Sequence, residues 1–271
     1  GLGDVYKRQS RNDEEPVFPM ITFPPFAEEL IEERVKCLLG IKKEDSLGAR
    51  EYNKLALKVK ELSDYFTRRQ EDRPDHYLGD APLLAAYMAY FVPSNLLKIV
   101  TPLTELFLHP GLNSGDEELS LLDLGSGPGT ASAGFIHFFF RLPAERRKVR
   151  KVSITAVDRV GENLSEAQVF LNGLWKRYAS ANSGEGPFDF RLNTVKADFR
   201  HLKSKSFEGR RYDMVLLSNA LVETAGGKDA AASPLPMIEH IARSSLKKSG
   251  SLIIIEPVSY THLRAHETKA N

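Results

Sequence analysis

Three glycines at alternate positions follow a short apolar run and precede a predicted helix. The run is Leu121-Leu122-Asp123-Leu124, and the glycines are Gly125, Gly127 and Gly129. Glycine lets the backbone adopt positive φ and approach a ligand closely, because it has no Cβ. The helix that follows adds N–H groups with no partner inside the helix. The pattern therefore predicts a strand, a turn and a helix that form a cradle for a nucleotide-type ligand.

Two classes of ligand compete for this cradle. A dinucleotide fingerprint, G-x-G-x-x-G, would need glycine where the chain has Thr130, and it gives no reason for Asp123. The run from Asp123 to Thr130, with Pro128 in the turn, resembles motif I of the class I S-adenosylmethionine-dependent methyltransferases. The resemblance implies S-adenosylmethionine as the cofactor, with the loop under its methionine part and the acid on a water or its amino group. The residues it assigns to the cofactor here are Asp123, Gly125, Ser126, Gly127, Gly129 and Thr130. A nicotinamide-dependent oxidoreductase is the outside alternative.

Acidic residues also end the next two predicted strands. Asp158 ends the second strand, where these methyltransferases hold both ribose hydroxyls, and Asp198 ends the third, where they have an acid near the adenine amino group. Arg159 and Phe199 adjoin these acids and are assigned to the cofactor with them. Because open α/β sheets bind ligands at the carboxyl ends of their strands, we expect these side chains to lie around one site.

Each acid has a structural alternative that the sequence leaves open. Asp123 could cap the turn that follows it, and Asp198 could be the N-cap of a short helix. Asp158 could pair with Arg159 or Arg191.

The fourth predicted strand should bring further polar side chains to the same edge. Ser218, Asn219 and Glu223 follow it. Ser218 and Asn219 are expected to contact the cofactor, and Asn219 and Glu223 are the candidate catalytic residues facing the transferred methyl group. Plain capping of the strand end is the alternative.

Hydrophobic periodicity predicts the elements that position these residues. Helices are expected at Phe26–Leu39, Ala49–Arg69, from the cap Asp80 to about Phe91, from the cap Ser94 to about Leu108, Thr130–Phe140, Asn163–Ala179 and Ser233–Lys247. Pro93 is expected to break the helix between the third and fourth of these. Strands are expected at Ser120–Leu124, Lys151–Val157, Phe188–Ala197, Tyr212–Ser218 and Ser251–Glu256. The alternation predicts an α/β fold with a Rossmann-like parallel sheet, preceded by an all-helical region.

The two ends are expected to lie outside the fold. Residues 1–9 and 258–271 resemble translated sequencing-adapter sequence, which makes 10–112 the helical region and 113–257 the Rossmann-like domain. Without those ends the chain has 33 basic and 34 acidic residues, so the formal charge changes from +1 to −1. Bulk charge does not predict nucleic-acid binding, and any such contact must come from a local patch.

Composition limits other classes of site. The single cysteine, Cys37, leaves no internal disulfide, and its apolar neighbours at helical spacing predict a packing role. The histidines have no metal-ligand spacing, so no metal is predicted. The sequence contains no run of about 18 uninterrupted apolar residues, the length needed to span a membrane. The sequence does not indicate the oligomeric state.

A narrower resemblance rests on several segments together: Ala85–Ser94, Leu122–Ala131, Ser218–Glu223 and Ile255–Pro257. They look like the methyltransferase-like proteins of the mitochondrial ribosomal small subunit and their bacterial relatives. The resemblance implies small-subunit ribosomal RNA or the pre-ribosome as partner, in the cytoplasm for a bacterial-type protein and in the mitochondrion for a eukaryotic one. It also implies a cysteine-bearing iron-sulfur segment and two last strands beyond Pro257.

RNA contact would need a basic surface. One cluster comprises Arg141, Arg146, Arg147, Lys148, Arg150 and Lys151, and a second comprises Lys203, Lys205, Arg210 and Arg211. Solvated surface is the alternative for both. The functional alternatives to ribosomal RNA methylation are an RNA-binding assembly factor that keeps the cofactor pocket without catalysis, and a methyltransferase acting on a small molecule or protein.

Overall fold

The computed structural model describes residues 23–67, 73–108, 118–143, 147, 149–185, 188–201, 209–221 and 234–256. Within these ranges five parallel strands form one sheet in the order β3-β2-β1-β4-β5. The strands are β1 Glu118–Leu124, β2 Lys151–Asp158, β3 Asp189–Lys196, β4 Tyr212–Ser218 and β5 Leu246–Ile255. The predicted α/β fold is confirmed, and the strand order is that of Rossmann-like sheets.

Helices precede the sheet and connect its strands. Before the sheet lie α1 Pro25–Leu38, α2 Ala49–Thr67, α3 Ala81–Ala86, α4 Val92–Leu96 and α5 Val100–Leu108. The connecting helices are α6 Thr130–Arg141, α7 Gly161–Ala181 and α8 Leu235–Ser245. Each predicted helical segment is therefore present, with its ends shifted by a few residues. The predicted all-helical region before the sheet is also confirmed.

The predicted break at Pro93 is wrong. A π-helical turn, Tyr87–Phe91, joins α3 to α4, and the N–H of Val92 donates to the Tyr87 carbonyl. The Ser94 hydroxyl donates back to the Tyr90 carbonyl at 2.5 Å instead of capping a new helix. The wider π turn accommodates a proline, which has no N–H and would clash with a regular preceding turn. The predicted cap at the start of this run is confirmed, since Asp80 accepts from the Leu83 N–H.

The helical run that results is long. Ala81–Phe107, at 27 residues, is the one helix of the described ranges whose length and composition would suffice to cross a membrane. Half of its most apolar window is buried inside the protein. Core helices pass the same test, so the run alone does not indicate a membrane.

Successive strand residues face two hydrophobic cores. Leu121 lies in the larger core, which includes α1, the Ala81–Leu108 run, α6 and α7, whereas Leu122 lies in the smaller core beneath α8. Because the helices before the sheet share the larger core, they are packed on the same face of the sheet as α6 and α7.

The predicted packing role of Cys37 is wrong. Helix α1 buries Ala27, Leu30, Ile31 and Val35, while Cys37 is exposed. Two residues in an α-helix turn the side chain through about 200°, so Cys37 lies opposite the face that Val35 buries.

Candidate functional site

A cleft of about 250 Å³ lies at the carboxyl ends of the strands. Its sheet side is lined by Gly125, Gly127, Asp158, Arg159, Val160, Asn163, Ala197, Asp198, Phe199, Arg200, Ser218, Asn219 and Ala220. The predicted residues from four successive strand ends therefore meet around one space. Ser126, Thr130 and Asp123 are buried and do not line it.

The three glycines of the loop are needed for different reasons. A Cβ on Gly125 would lie 2.8 Å from the Ala220 Cβ, and one on Gly129 would lie 2.9 Å from the Leu171 side chain. A Cβ on Gly127 would meet nothing within 4 Å. All three have positive φ: +68° at Gly125, +53° at Gly127 and +90° at Gly129. Only Gly127 thus leaves open space on the cleft side, where a ligand can approach the backbone.

The N–H groups of the loop are mostly engaged inside the protein. Those of Gly125 and Ser126 donate to the Val157 carbonyl, and that of Gly129 donates to the Ser126 carbonyl. The N–H of Gly127 donates to Asp158 Oδ2 at 2.9 Å. A pyrophosphate is normally held by such N–H groups, so this loop is poorly equipped for one.

Asp158 organises the base of the cleft. Besides Gly127, it accepts the Val160 N–H at 2.8 Å and the Asn163 amide at 3.2 Å, both at Oδ1. Burial raises the pKa of Asp158, and these hydrogen bonds offset part of that shift. The alternative of pairing with Arg159 or Arg191 is not what the structure shows, since Arg159 pairs with Asp75 at 3.4 Å.

Asn163 is a site residue that was not predicted from the sequence. It is 3% exposed, and its Oδ1 has no hydrogen-bond partner among the described residues. Its amide nitrogen donates to Asp158, and the residue lines the cleft with Oδ1 buried as an acceptor without a protein partner. The available signal was its position in the first turn of α7, just after the acid that ends β2.

Asp123 lies beneath the loop. It is 1% exposed, and its Oδ2 accepts both the N–H of Ser132, at 3.2 Å, and the Ser132 hydroxyl, at 2.6 Å. Burial raises its pKa to about 6. The capping alternative therefore describes this residue, which ties the end of β1 to the first turn of α6, and contact with a cofactor stays a prediction.

Asp198 also has the predicted capping geometry. It accepts the Arg200 N–H at 3.0 Å and so caps a short 3₁₀ helix, Phe199–His201. The Arg200 guanidinium forms an ion pair with it and holds its pKa below the usual value. Phe199 lies beside the glycine loop, with its ring 3.3 Å from the position of a Gly125 Cβ.

The end of β4 brings a polar amide to the cleft. Asn219 has φ of +54°, the one positive-φ residue other than glycine in the described ranges. Its N–H donates to the Ile255 carbonyl at 2.7 Å, which fixes the turn against β5. Ser218 lines the cleft beside it, while the second catalytic candidate, Glu223, lies outside the described residues.

The opposite side of the cleft comes from the helical region before the sheet. Its lining residues are Phe66, Arg73, Asp75, Tyr77, Leu78, Tyr87, Phe91, Asn95 and Lys98. None of them was predicted to belong to the site, because helical periodicity alone does not show which face of a helix meets another element. Within the described ranges no group of three or more histidine, cysteine or acidic side chains could hold a metal ion.

The first predicted basic cluster is only partly surface. Arg147 is 4% exposed, and its guanidinium lies between 5.5 and 6.0 Å from the ring centroids of Phe139, Phe140 and Phe188. The prediction that Arg147 belongs to a basic surface is therefore wrong, because its side chain is buried against the aromatic core. Arg146, Lys148, Lys203 and Lys205 lie outside the described residues.

No protein-family model and no curated protein sequence matches the chain. Solved structures of methyltransferases are similar in fold. The N-terminal domain of EvdMO1 with S-adenosylhomocysteine (SAH) bound is 17% identical with a TM-score of 0.34, over 58% of this chain and 49% of that one. A methyltransferase from Geobacter sulfurreducens in complex with SAH is 19% identical with a TM-score of 0.31, over 56% and 46%. Magnesium protoporphyrin IX methyltransferase from Synechocystis with bound SAH is 15% identical with a TM-score of 0.33, over 78% of each chain. This chain thus covers less than two thirds of the first two structures.

Proposed function

We propose that the chain is an S-adenosylmethionine-dependent methyltransferase whose cofactor lies across the carboxyl edge of β1 to β4. The observation that carries the proposal is the combination of open space over Gly127 with the buried acceptors of Asp158 and Asn163 beside it. Buried polar atoms without partners are rare in folded proteins and call for a missing ligand or water.

The residues present suit the chemistry of this cofactor. Asp158 Oδ1 already accepts two protein donors, whereas Oδ2 accepts one, so Oδ2 keeps acceptor capacity for a ribose hydroxyl. Asn163 Oδ1 adds a buried acceptor without a protein partner at the same end of the cleft. The Phe199 ring supplies an apolar surface for a flat base.

A dinucleotide fits less well. The N–H groups of Gly125, Ser126, Gly127 and Gly129 already have acceptors within the protein, so they cannot hold a pyrophosphate. Asp158 also adds a carboxylate next to the loop, which repels phosphate oxygens.

Methyl transfer asks little of the protein beyond position. When bound, S-adenosylmethionine supplies a methyl group whose bond to sulfur breaks as the bond to the acceptor forms, leaving a neutral thioether. Holding the acceptor in line and excluding water can supply most of the rate enhancement. Asn219 lies at the end of β4 on the cleft wall, where its amide can orient an acceptor, and a proton released by the acceptor atom can leave to solvent.

For the acceptor, we propose small-subunit ribosomal RNA. The resemblance of the sequence supports this, and so does a second groove of about 700 Å³ on one face of the sheet, towards the amino-terminal ends of its strands. Its basic lining residues are Lys151, Arg191, Arg210, Arg211 and Lys247, against the acidic Glu118. Internal partners engage three of these cations: Lys151 pairs with Glu118, Lys247 pairs with Asp213, and Arg211 donates to backbone carbonyls.

The test is transfer of a radiolabelled methyl group from S-adenosylmethionine to small-subunit RNA, compared between the native chain and Asp158→Asn. We expect labelled RNA with the native chain and at least about tenfold less with the variant, because an amide cannot replace both acceptor oxygens. RNA binding without transfer would favour the assembly factor instead. Labelling of a small molecule or protein in the absence of RNA would favour the third alternative.

A further inference from the structure

One face of the helical run Ala81–Leu108 lines the cleft with aromatic and polar side chains. Tyr87, Phe91, Asn95 and Lys98 all line the cleft and follow one another at helical spacing. The face therefore presents two aromatic rings, then an amide, then an ammonium group. The π turn Tyr87–Phe91 lies at its aromatic end. Single π turns inside helices occur frequently at functional sites.

The two rings belong to a larger aromatic wall. Tyr87 and Phe91 stack with their centroids 5.5 Å apart and 26° between their planes. Phe66 packs edge-on against Phe91 at 5.1 Å and against Tyr77 at 5.8 Å. Phe66, Tyr87 and Phe91 remain only half-buried although they form one cluster. The wall thus keeps aromatic surface turned toward the cleft, opposite the proposed cofactor position.

The charges of the cleft are mostly balanced in pairs. Arg159 pairs with Asp75, and Arg200 pairs with Asp198. Lys98 stands apart, because no carboxylate of the described residues lies within ion-pair distance of its ammonium group. An exposed ammonium at the end of an aromatic face favours an anionic group on whatever occupies that face.

We propose that the helical side of the cleft binds the methyl acceptor through a flat aromatic or heteroaromatic ring on Tyr87 and Phe91, with an anionic substituent on Lys98. This inference rests on the proposed function, since the sheet side must hold the cofactor for the helical side to hold the acceptor. A nucleotide base with its phosphate and a small aromatic acid share this chemistry. Many flat rings can stack on aromatic side chains. The aromatic wall therefore selects an acceptor with a flat ring, and Lys98 selects one with a negative charge.

The experiment is calorimetric titration of the full chain, first with S-adenosylhomocysteine and then, at saturation, with ring probes. Cytidine 5′-monophosphate is compared with cytidine, and 4-hydroxybenzoate with 4-hydroxybenzamide. We expect the anionic member of at least one pair to bind at least about tenfold more tightly than its neutral partner. The pair that shows this difference identifies the nucleotide or the aromatic acid as the source of the ring.

Variants separate the two parts of the proposal. Lys98→Met should abolish the preference for the anion, whereas Lys60→Met, an exposed lysine on α2, should leave it unchanged. Phe91→Leu should weaken both members of the bound pair about tenfold, while Tyr52→Leu, an exposed ring on α2 outside the cleft, should not. Unfolding midpoints of all four variants confirm that the folded protein is being compared.

Two results would overturn the acceptor proposal while the cofactor assignment stands. They are saturable binding of S-adenosylhomocysteine with no ring probe bound, and equal binding of charged and neutral rings. Failure of S-adenosylhomocysteine to bind, seen before any probe is added, would instead overturn the proposed function and the acceptor assignment that rests on it.

Discussion

Gly127 offers the sharpest separation between folding and ligand binding. Gly127→Ala adds a methyl group that meets no protein atom within 4 Å, so its folding cost comes only from φ of +53°. That backbone cost is about 1–2 kcal/mol for a residue with a Cβ. If the cofactor passes over this glycine, the methyl occupies its space, and we expect the affinity for S-adenosylhomocysteine to fall by at least about 100-fold, which corresponds to about 2.7 kcal/mol.

Gly40→Ala is the matched control. Gly40 has φ of +69°, a Cβ there would also meet nothing within 4 Å, and the residue does not line the cleft. Its backbone cost should therefore again be about 1–2 kcal/mol. The expected pattern is a similar loss of stability with normal affinity for S-adenosylhomocysteine.

Urea unfolding and calorimetric titration at a temperature where both variants are folded measure the two quantities. If Gly127→Ala binds S-adenosylhomocysteine as tightly as the native chain, the ligand does not lie on the open side of the loop.

Three further expectations follow from buried or strained residues. The folded-state pKa of Asp123, about 6, exceeds its ordinary value of 3.8. Its contribution to stability is therefore complete below about pH 4 and is lost as the pH rises to about 6. The free energy of unfolding in urea should fall by about 3 kcal/mol across that window in the native chain, and this fall should be absent in Asp123→Asn. An equal fall in the variant would contradict this assignment. Asn219→Ala should cost about 1–2 kcal/mol of stability and Asn219→Gly much less, because only alanine disfavours φ of +54°, whereas both should reduce methyl transfer; transfer at the native rate by Asn219→Gly would exclude a role for the amide. Arg147→Ala should lower stability by about 2 kcal/mol through lost packing on three rings, and leave the salt dependence of RNA binding in a filter assay unchanged. If Arg147→Ala weakens the dependence of RNA binding on salt concentration, the arginine contacts RNA and is not buried in the core.

The sheet and the glycine loop could be predicted because their signals are local. Apolar runs that end in Asp123 and Asp158 define strands, and glycines at alternate positions define a tight turn whatever packs around them. The roles of the acids could not be separated in the same way. Whether Asp123 faces a ligand or the first turn of α6 depends on which rotamer the folded core permits.

The other differences arise from tertiary packing. The π turn absorbs Pro93, although the sequence rule for proline alone predicts a break. Cys37 has apolar neighbours along the chain, yet the phase of α1 turns it outward. The aromatic wall of the cleft depends on how the Ala81–Leu108 run lies against the glycine loop, which periodicity does not specify.

The proposed function requires this cleft to bind S-adenosylmethionine. Calorimetric titration of the full chain with S-adenosylhomocysteine, and separately with NAD, measures this binding. We expect saturable one-to-one binding of S-adenosylhomocysteine that Gly127→Ala weakens at least about 100-fold, and no heat from NAD. Tight binding of NAD with no response to S-adenosylhomocysteine would contradict the proposed function.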